Sequence, residues 1–404
     1  MTSTNFELVQ LDDVDLIKFT REQNGSAWRG SLTPEQYIER ESVLGKSKMA
    51  TKDDNKLLVF MLRDKSDTSK RLCSIELLIR KSWVYKYVDN AVQRKSVLSG
   101  CIGGVFTYPE HRGKGYAAIM VDELVHLAKS KLLGPDGFVF LYSEVGEYYT
   151  RNGFKSFAVP LVKVPIGDHT SSPPIKFDHT YELLHYKQFE EILDIHNSQF
   201  NAKLAQLTAT DFKSRVALDP TVDIVDWFHL RAKFISSKLF YKDNFENLSN
   251  LSYDQILEKF HKIDPDIFGI KSTSDGKFVG GIIWTYDWSL NEETNTYENK
   301  ATILKIIVDE KVHVDDITKD LILKMKLYLE SENTHECLKI INQFVLWESE
   351  VSEEVLSWLT GNLNATRNHE NGSRSAILMN NDSDDKDLKD GNLIWEGNDK
   401  LPWF

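Results

Sequence analysis

The sequence predicts a mixed α/β fold built as two domains, and three observations carry that expectation. The chain has 404 residues, more than one ordinary hydrophobic core accommodates. Apolar runs of strand length alternate with amphipathic helical patterns in both halves. A small-polar, double-proline stretch, GDHTSSPPI at 167–175, reads as a linker between them. The expected division is 1–170 and 176–404.

Taken in order, residues 6–40 hold mixed helical patterns. KLLVFMLRD (56–64), LCSIELLIRKSWVY (72–85) and SGCIGGVFTY (99–108) read as strands. From 115 to 133 the spacing of Met120, Leu124, Leu127 and Ala128 gives one apolar helix face. GFVFLYS (137–143) is a strand, GEYYTRNGF (146–154) a short helix ending in a glycine turn, and FAVPLVKVP (157–165) closes the domain. The second half repeats this order. It has a hairpin at 266–288 turning on Asp275-Gly276, a strand at 300–309, a helix at 315–331, a strand at 337–349 and a helix at 352–363. The stretch 365–392 is polar and acidic around one short apolar run, which predicts a loop that is mobile in part.

Composition narrows the function classes. The formal net charge is −12, which argues against nucleic acid or an anionic membrane as partner and mildly for a cationic substrate. No apolar run approaches the roughly 20 residues that span a bilayer. The N-terminus shows no basic region followed by an apolar stretch, so no secretory signal is expected. Cys73, Cys101 and Cys337 are far apart. They form neither a metal spacing nor a disulfide framework, and cytoplasmic residence is expected. The HEC triplet at 335–337 lacks a second histidine, so no metal is expected.

The loop 105–118, VFTYPEHRGKGYAA, lies between a strand and a helix start. Amides there point outward, the helix dipole adds positive partial charge, and glycine lets the backbone approach a phosphate. The pattern is neither G-x-G-x-x-G nor G-x-x-x-x-G-K-[ST]. It is Arg112-Gly113-Lys114-Gly115-Tyr116-Ala117, of the form R/Q-x-x-G-x-G/A. This resembles motif A of the GCN5-related N-acetyltransferases (GNATs). Thr107-Tyr108-Pro109 stands where that family ends its strand, and Tyr149-Thr-Arg-Asn-Gly153-Phe154 resembles its motif B.

The resemblance implies a GNAT fold with a central mixed sheet, acetyl-CoA as co-substrate and a second, degenerate GNAT-like domain. In the second half the glycine loop is replaced by VDEKVHVDDI (308–317), so one acetyl-CoA site is expected. NGSAWRGSLTPEQYIERE (24–41), the two-domain length and the ending LPWF are similar to the fungal lysine N6-acetyltransferases of lysine catabolism. That likeness implies the ε-amine of free L-lysine as acceptor, with a polyamine, a drug-like amine or a protein lysine as alternatives. A non-catalytic acyl-CoA sensor is the rival of a different class.

Roles follow by position. Val105, Phe106 and Thr107 would face the thioester and pantetheine arm. Arg112, Gly113, Lys114, Gly115, Tyr116 and Ala117 would hold the pyrophosphate. Tyr149 stands where the family places its general acid, since a phenol can protonate a leaving thiolate. Glu144 would bind or deprotonate the amine. Glu76, an acid inside an apolar strand, must find a partner or reach solvent. The aminoglycoside acetyltransferases of the enhanced-intracellular-survival type end in an aromatic residue and use its carboxylate. By that likeness the Phe404 carboxylate is expected to serve as base or amine-binding group.

Overall fold

The computed structural model describes residues 5–52, 54–167, 173–220, 222–241, 245–291, 296–297, 299–331, 335–370 and 372–404. Residues 168–172 of the expected linker lie outside them.

Strand β1 (Phe6–Gln10) opens the chain, followed by helices α1 (Val14–Trp28), α2 (Pro34–Leu44) and α3 (Lys48–Thr51). The first strand is a departure from the helical reading of 6–40. Phe6 and Leu8 pack on the core through one face of a short edge strand paired with the next. Strands β2 (Lys56–Asp64), β3 (Arg71–Val88) and β4 (Ala91–Thr107) form a meander. The last two make a hairpin longer than the apolar runs predict. Its turn is Asp89-Asn90, both at positive φ, the geometry that matches strand twist. Helix α4 (Tyr116–Leu127) and strand β5 (Phe138–Ser143) follow, with β5 parallel to β4. A 3₁₀ turn at Tyr148–Asn152 leads to β6 (Lys155–Phe157) and β7 (Leu161–Pro165).

The second half begins with β8 (Thr180–His185), α5 (Glu190–Asp211), β9 (Ser214–Leu218), α6 (Asp226–Phe240) and α7 (Tyr253–Phe260). Strands β10 (Ile267–Ser274) and β11 (Lys277–Asp287) are the expected hairpin. A two-residue ribbon, β12 (Leu290–Asn291) and β13 (Thr296–Tyr297), precedes β14 (Lys300–Val308). Then come α8 (Val314–Leu329), α9 (Glu336–Lys339), β15 (Gln343–Trp347), α10 (Glu353–Leu363), β16 (Thr366–His369), β17 (Arg374–Met379), α11 (Asp382–Asp390) and β18 (Leu393–Trp395). The described residues of 365–392 are therefore strands and a helix with short connections rather than a loop. The one apolar run, Ala376–Met379, is buried as a central strand, and the acidic segment after it is a helix capped by Asn381.

Two mixed sheets result. The first runs β1-β2-β3-β4-β5-β17-β6, with β9 and β18 attached along the far end of β3. The second runs β16-β7-β15-β14-β11-β10-β8. The parallel pair β4/β5 with its crossover helix α4 recurs as β14/β15 with α8. Next to each pair sits a strand from the other half of the chain. β17 lies between β5 and β6, and β7 lies between β15 and β16. The halves thus exchange strands, and a cut near 170 does not separate the sheets.

Alternation explains the layers. On β2, Phe60 and Leu62 face α4, while Val59 and Met61 face α1. On β5, Val139 and Leu141 pack under α4, while Phe138, Phe140 and Tyr142 join the large core shared with the second sheet. All six residues of β5 are buried, as a strand covered on both faces requires. A chain ended at residue 370 would leave β5 and β6 with open, apolar edges. Such a truncation is expected to aggregate, and a soluble, cooperatively melting 1–370 fragment in calorimetry would contradict the strand exchange.

Candidate active site

The site begins where β4 parts from β5. The two strands pair from Ser99/Phe138 to Ile102/Leu141 and no further. On its other edge β4 stays bonded to β3, but Ile75 alone is faced by two residues, Gly104 and Val105. Gly104 has φ +56°, and this β-bulge bends β4 away. The parting leaves a cleft whose walls are the end of β4 and the end of β5.

At the end of β4 the chain turns through Pro109–His111 into α4. Gly113 and Gly115 take φ +75° and +78°, and a Cβ at either would meet nothing within 4 Å. Packing does not require these glycines; the left-handed backbone does. Helix α4 has no side-chain cap. The amides of residues 113–118 have no acceptor among the described residues. A row of free N–H groups at a helix start suits a pyrophosphate. Arg112 is exposed, donates through Nε to the Thr107 carbonyl at 3.1 Å, and lies over the Phe106 ring at 5.1 Å. Lys114 Nζ reaches the Glu110 carbonyl at 3.2 Å. The residues present therefore fit the phosphate end of acetyl-CoA.

The second half differs at the corresponding strand end and helix start. There the amide of Ile306 donates to Glu350 at 2.6 Å, and Asp315 and Asp316 occupy the first turn of α8.

The cleft opens into a cavity of about 540 Å³ between the two sheets. Gly103–Val105, Glu76, Glu144 and Tyr149 line it from the first sheet. Thr285, Asp287, Lys300 and Thr302 line it from the second, with Trp227 and Arg231 from α6. Tyr149 is buried, and its hydroxyl makes no hydrogen bond among the described residues. Burial, with Tyr148 and Glu144 adding to it, holds its phenol well above the usual value, so it stays protonated. Tyr148 is the more exposed of the pair and stacks against Arg151. Glu144 is exposed and accepts from Trp28 Nε1 at 2.8 Å.

Glu76 sits on β3 opposite Gly103. Burial pushes its carboxyl up to about 7, with Arg21 pulling it back and Glu41 raising it further. The neighbouring wall holds Arg40, buried and paired with Glu41 at 2.7 Å.

The last residues of the chain enter the same cavity. Lys305 pairs with Asp399 at 3.1 Å, and Tyr142 donates to the Asp399 carbonyl at 2.9 Å. Arg80, buried on β3, donates to the Pro402 carbonyl. Trp403 stacks on Tyr142, and the Phe404 ring packs edge-on to Trp227. A Cβ on Gly103 would lie 2.7 Å from the Phe404 ring. The candidates named from sequence, Val105, Glu144, Tyr149 and Phe404, thus meet in one cavity, whereas Phe106, Thr107 and the loop 112–117 do not line it and follow Val105 along the chain. Sequence reasoning missed Arg231, Asp287, Lys300 and Lys400. They come from separate elements and read locally as solvated charges.

A family profile, LYC1 GNAT-like C-terminal domain, matches residues 165–404, more than half of the chain. The chain belongs to this GNAT family. Over 97% of its length it is 27% identical to uncharacterized protein YGR111W of Saccharomyces cerevisiae, covering 96% of that protein. It is 29% identical to a lysine acetyltransferase of Yarrowia lipolytica over 164 residues, 36% of this chain and 40% of that one. A GCN5-related N-acetyltransferase of Anabaena variabilis superposes with a TM-score of 0.53 at 13% identity, covering 93% of this chain and 73% of that one. A probable N-acyltransferase of Enterococcus faecalis gives 0.54 at 11% identity, with 93% and 72% covered. At these identities the structures establish the two-domain GNAT fold, and the GNAT fold implies acetyl-CoA as co-substrate. No helix among the described residues is long and apolar enough to cross a membrane.

Two tests address the site. Aspartate is among the few residues that visit the left-handed backbone found at Gly115, so Gly115→Asp should fold at some cost in stability, checked by circular dichroism, while placing a carboxylate against the phosphate position. Acetyl-CoA affinity should fall by about 10–100-fold, the worth of one or two charge-assisted bonds, as read by calorimetry. The second test uses Glu76. Its folded pKa lies above the ordinary 4.5, so the unfolded chain releases the proton first as pH rises. Stability is lost between pH 4.5 and about 7. Glu76→Gln lacks that loss, and its melting temperature should rise relative to the parent across this window. A constant difference would contradict the burial of an ionisable Glu76.

Proposed function

We propose that this chain is an acetyl-CoA-dependent N-acetyltransferase acting on a small free amine, with the ε-amine of L-lysine as the leading acceptor. One observation carries the reading. The parting of β4 from β5 opens a cavity lined by both Tyr149 and the buried Glu76 carboxyl, and the free amides at 113–118 lie just beyond the end of the same strand β4. The lysine acetyltransferase of Yarrowia lipolytica, similar over part of the chain, supports lysine among the amines.

In this reading the pyrophosphate rests on the loop at 112–117, and the pantetheine arm follows Val105–Thr107 into the parting. Glu76 takes a proton from the incoming ammonium. The amine lone pair forms the C–N bond at the thioester carbonyl, whose electrons move onto oxygen. As they return, the C–S bond breaks, the thiolate takes a proton from Tyr149, and the second proton that the nitrogen sheds on becoming an amide restores the Tyr149 hydroxyl. Burial raises the basicity of the thiolate as it raises the phenol, so the transfer stays near balance. Glu144 and Phe404 stand at the edges of the same cavity. Glu144 is proposed to guide the ammonium inward. Phe404 is proposed to bring its carboxyl group to the amine, and a variant lacking Phe404 should lose transfer while still binding acetyl-CoA. Cytoplasmic residence and the absence of nucleic-acid or membrane partners remain part of this proposal.

Thiol release from acetyl-CoA, screened over amino acids and polyamines, tests the activity. Binding of CoA with no thiol release from any amine would make the chain a sensor. Tyr149→Phe should lower turnover by about 10²–10⁴-fold, the usual worth of general acid catalysis, with acetyl-CoA affinity unchanged. Full activity in that variant would move the acid role to water or Tyr148.

A further inference from the structure

The cavity is electrically two-sided. Glu76 and Glu144 lie on the wall from the first sheet. Arg231 on α6, Lys300 at the start of β14 and Lys400 in the terminal segment lie on the other. Asp287, on β11, is the carboxylate on that wall, and it pairs with Arg231 at 3.3 Å. Arg40, which also faces Asp287, is already paired with Glu41. Among the described residues no carboxylate forms an ion pair with Lys300 or Lys400 within 4 Å; Asp287 interacts with both at longer range, and Glu144 with Lys400. Lys400 Nζ instead stands 3.0 Å from the centre of the Trp403 ring. Desolvation lowers the Lys400 ammonium well below its ordinary value, and Arg231 and Lys300 lower it further against the smaller opposing pull of Asp287 and Glu144.

Gathering like charges in a closed space costs stability unless an anion joins them. The cost stands out in a chain whose formal net charge is −12. Solvation alone does not account for it, because these groups share a cavity and do not fan out over a surface. Glu41 pairs with Arg40, Asp287 pairs with Arg231, and the Phe404 carboxyl is assigned to the amine in the reading above, so a guest anion is what remains to join Lys300 and Lys400.

We propose that Arg231, Lys300 and Lys400 form an anion subsite that holds the carboxylate of the acceptor, so that the domain without a phosphate loop selects the substrate. The inference rests on the acetyl-transfer reading of this cavity. It makes the acceptor a free amino acid carrying a side-chain amine. The carboxylate sits on the cationic wall and the reacting amine reaches across to Glu76. A polyamine would place a second ammonium among three cations, which is unfavourable.

Three probes separate the ends of the molecule. L-lysine carries both amines and the carboxylate. 6-Aminohexanoate keeps the carboxylate and lacks the α-amine. Cadaverine keeps both amines and lacks the carboxylate. Calorimetric binding to the full chain in the presence of CoA should rank L-lysine and 6-aminohexanoate above cadaverine by about 10–100-fold, the worth of a charge-assisted pair. Lys400→Met and, separately, Lys300→Met should each reduce that preference about tenfold. Arg231→Met should do the same but also frees Asp287, so the lysine variants decide. Where the chain transfers acetyl, the ratio of kcat/KM for L-lysine over cadaverine should fall in parallel, through KM. Binding of cadaverine as tight as L-lysine, or a preference unmoved in both lysine variants, would overturn the subsite. Binding with the expected ranking but no thiol release would uphold the subsite and refute the transferase reading.

Discussion

Strand β17 fills the first sheet between β5 and β6, and β7 fills the second between β15 and β16. Everything else in the molecule depends on this exchange. A sheet edge carries unpaired amides and carbonyls, which must be bonded or solvated. Here each half bonds the edge of the other, and the two sheets are held face to face over a common core. The cavity exists because the sheets cannot drift apart, and its two walls come from different halves for the same reason.

Within that frame, the parting of β4 from β5 is the local device. Two parallel strands that stop bonding leave a gap for an extended guest whose own amides can take their place. The bulge at Gly104 makes the bend, and the Glu76 side chain lies against it. The second sheet repeats the parting between β14 and β15, but Glu350 closes it and Lys305 ties Glu350 to Asp399. The closed copy thereby anchors the terminal segment that lines the cavity at the open copy. Of the two recurring units, one forms an open cleft and the other a brace for it.

The terminal segment illustrates how weak local signals combine. Lys400, Trp403 and Phe404 have no helix or strand to fix them. Arg80, Tyr142 and Lys305 do so instead, from three strands in two sheets. Ordering such a segment costs conformational entropy, and burial of aromatic area offsets it.

Much of the first half was legible in the sequence. Glycines at 113 and 115 announce a left-handed backbone before a helix, because few other residues adopt it readily. The face of Met120 and Leu124 announces the helix, because 3.6-residue spacing survives any tertiary context. The motif containing Tyr149 places an aromatic just past strand β5. The acidic stretch after 365 was misread, because a polar segment around four apolar residues looks the same whether its strand is inserted or loose. Only tertiary structure decided that β17 is a central strand, since its partners, β5 and β6, lie more than 200 residues earlier. It also decided that Arg231, Asp287, Lys300 and Lys400 share a cavity. Charge on one residue is visible in a sequence, but electrostatic coupling depends on distance through space, and the fold alone sets that distance.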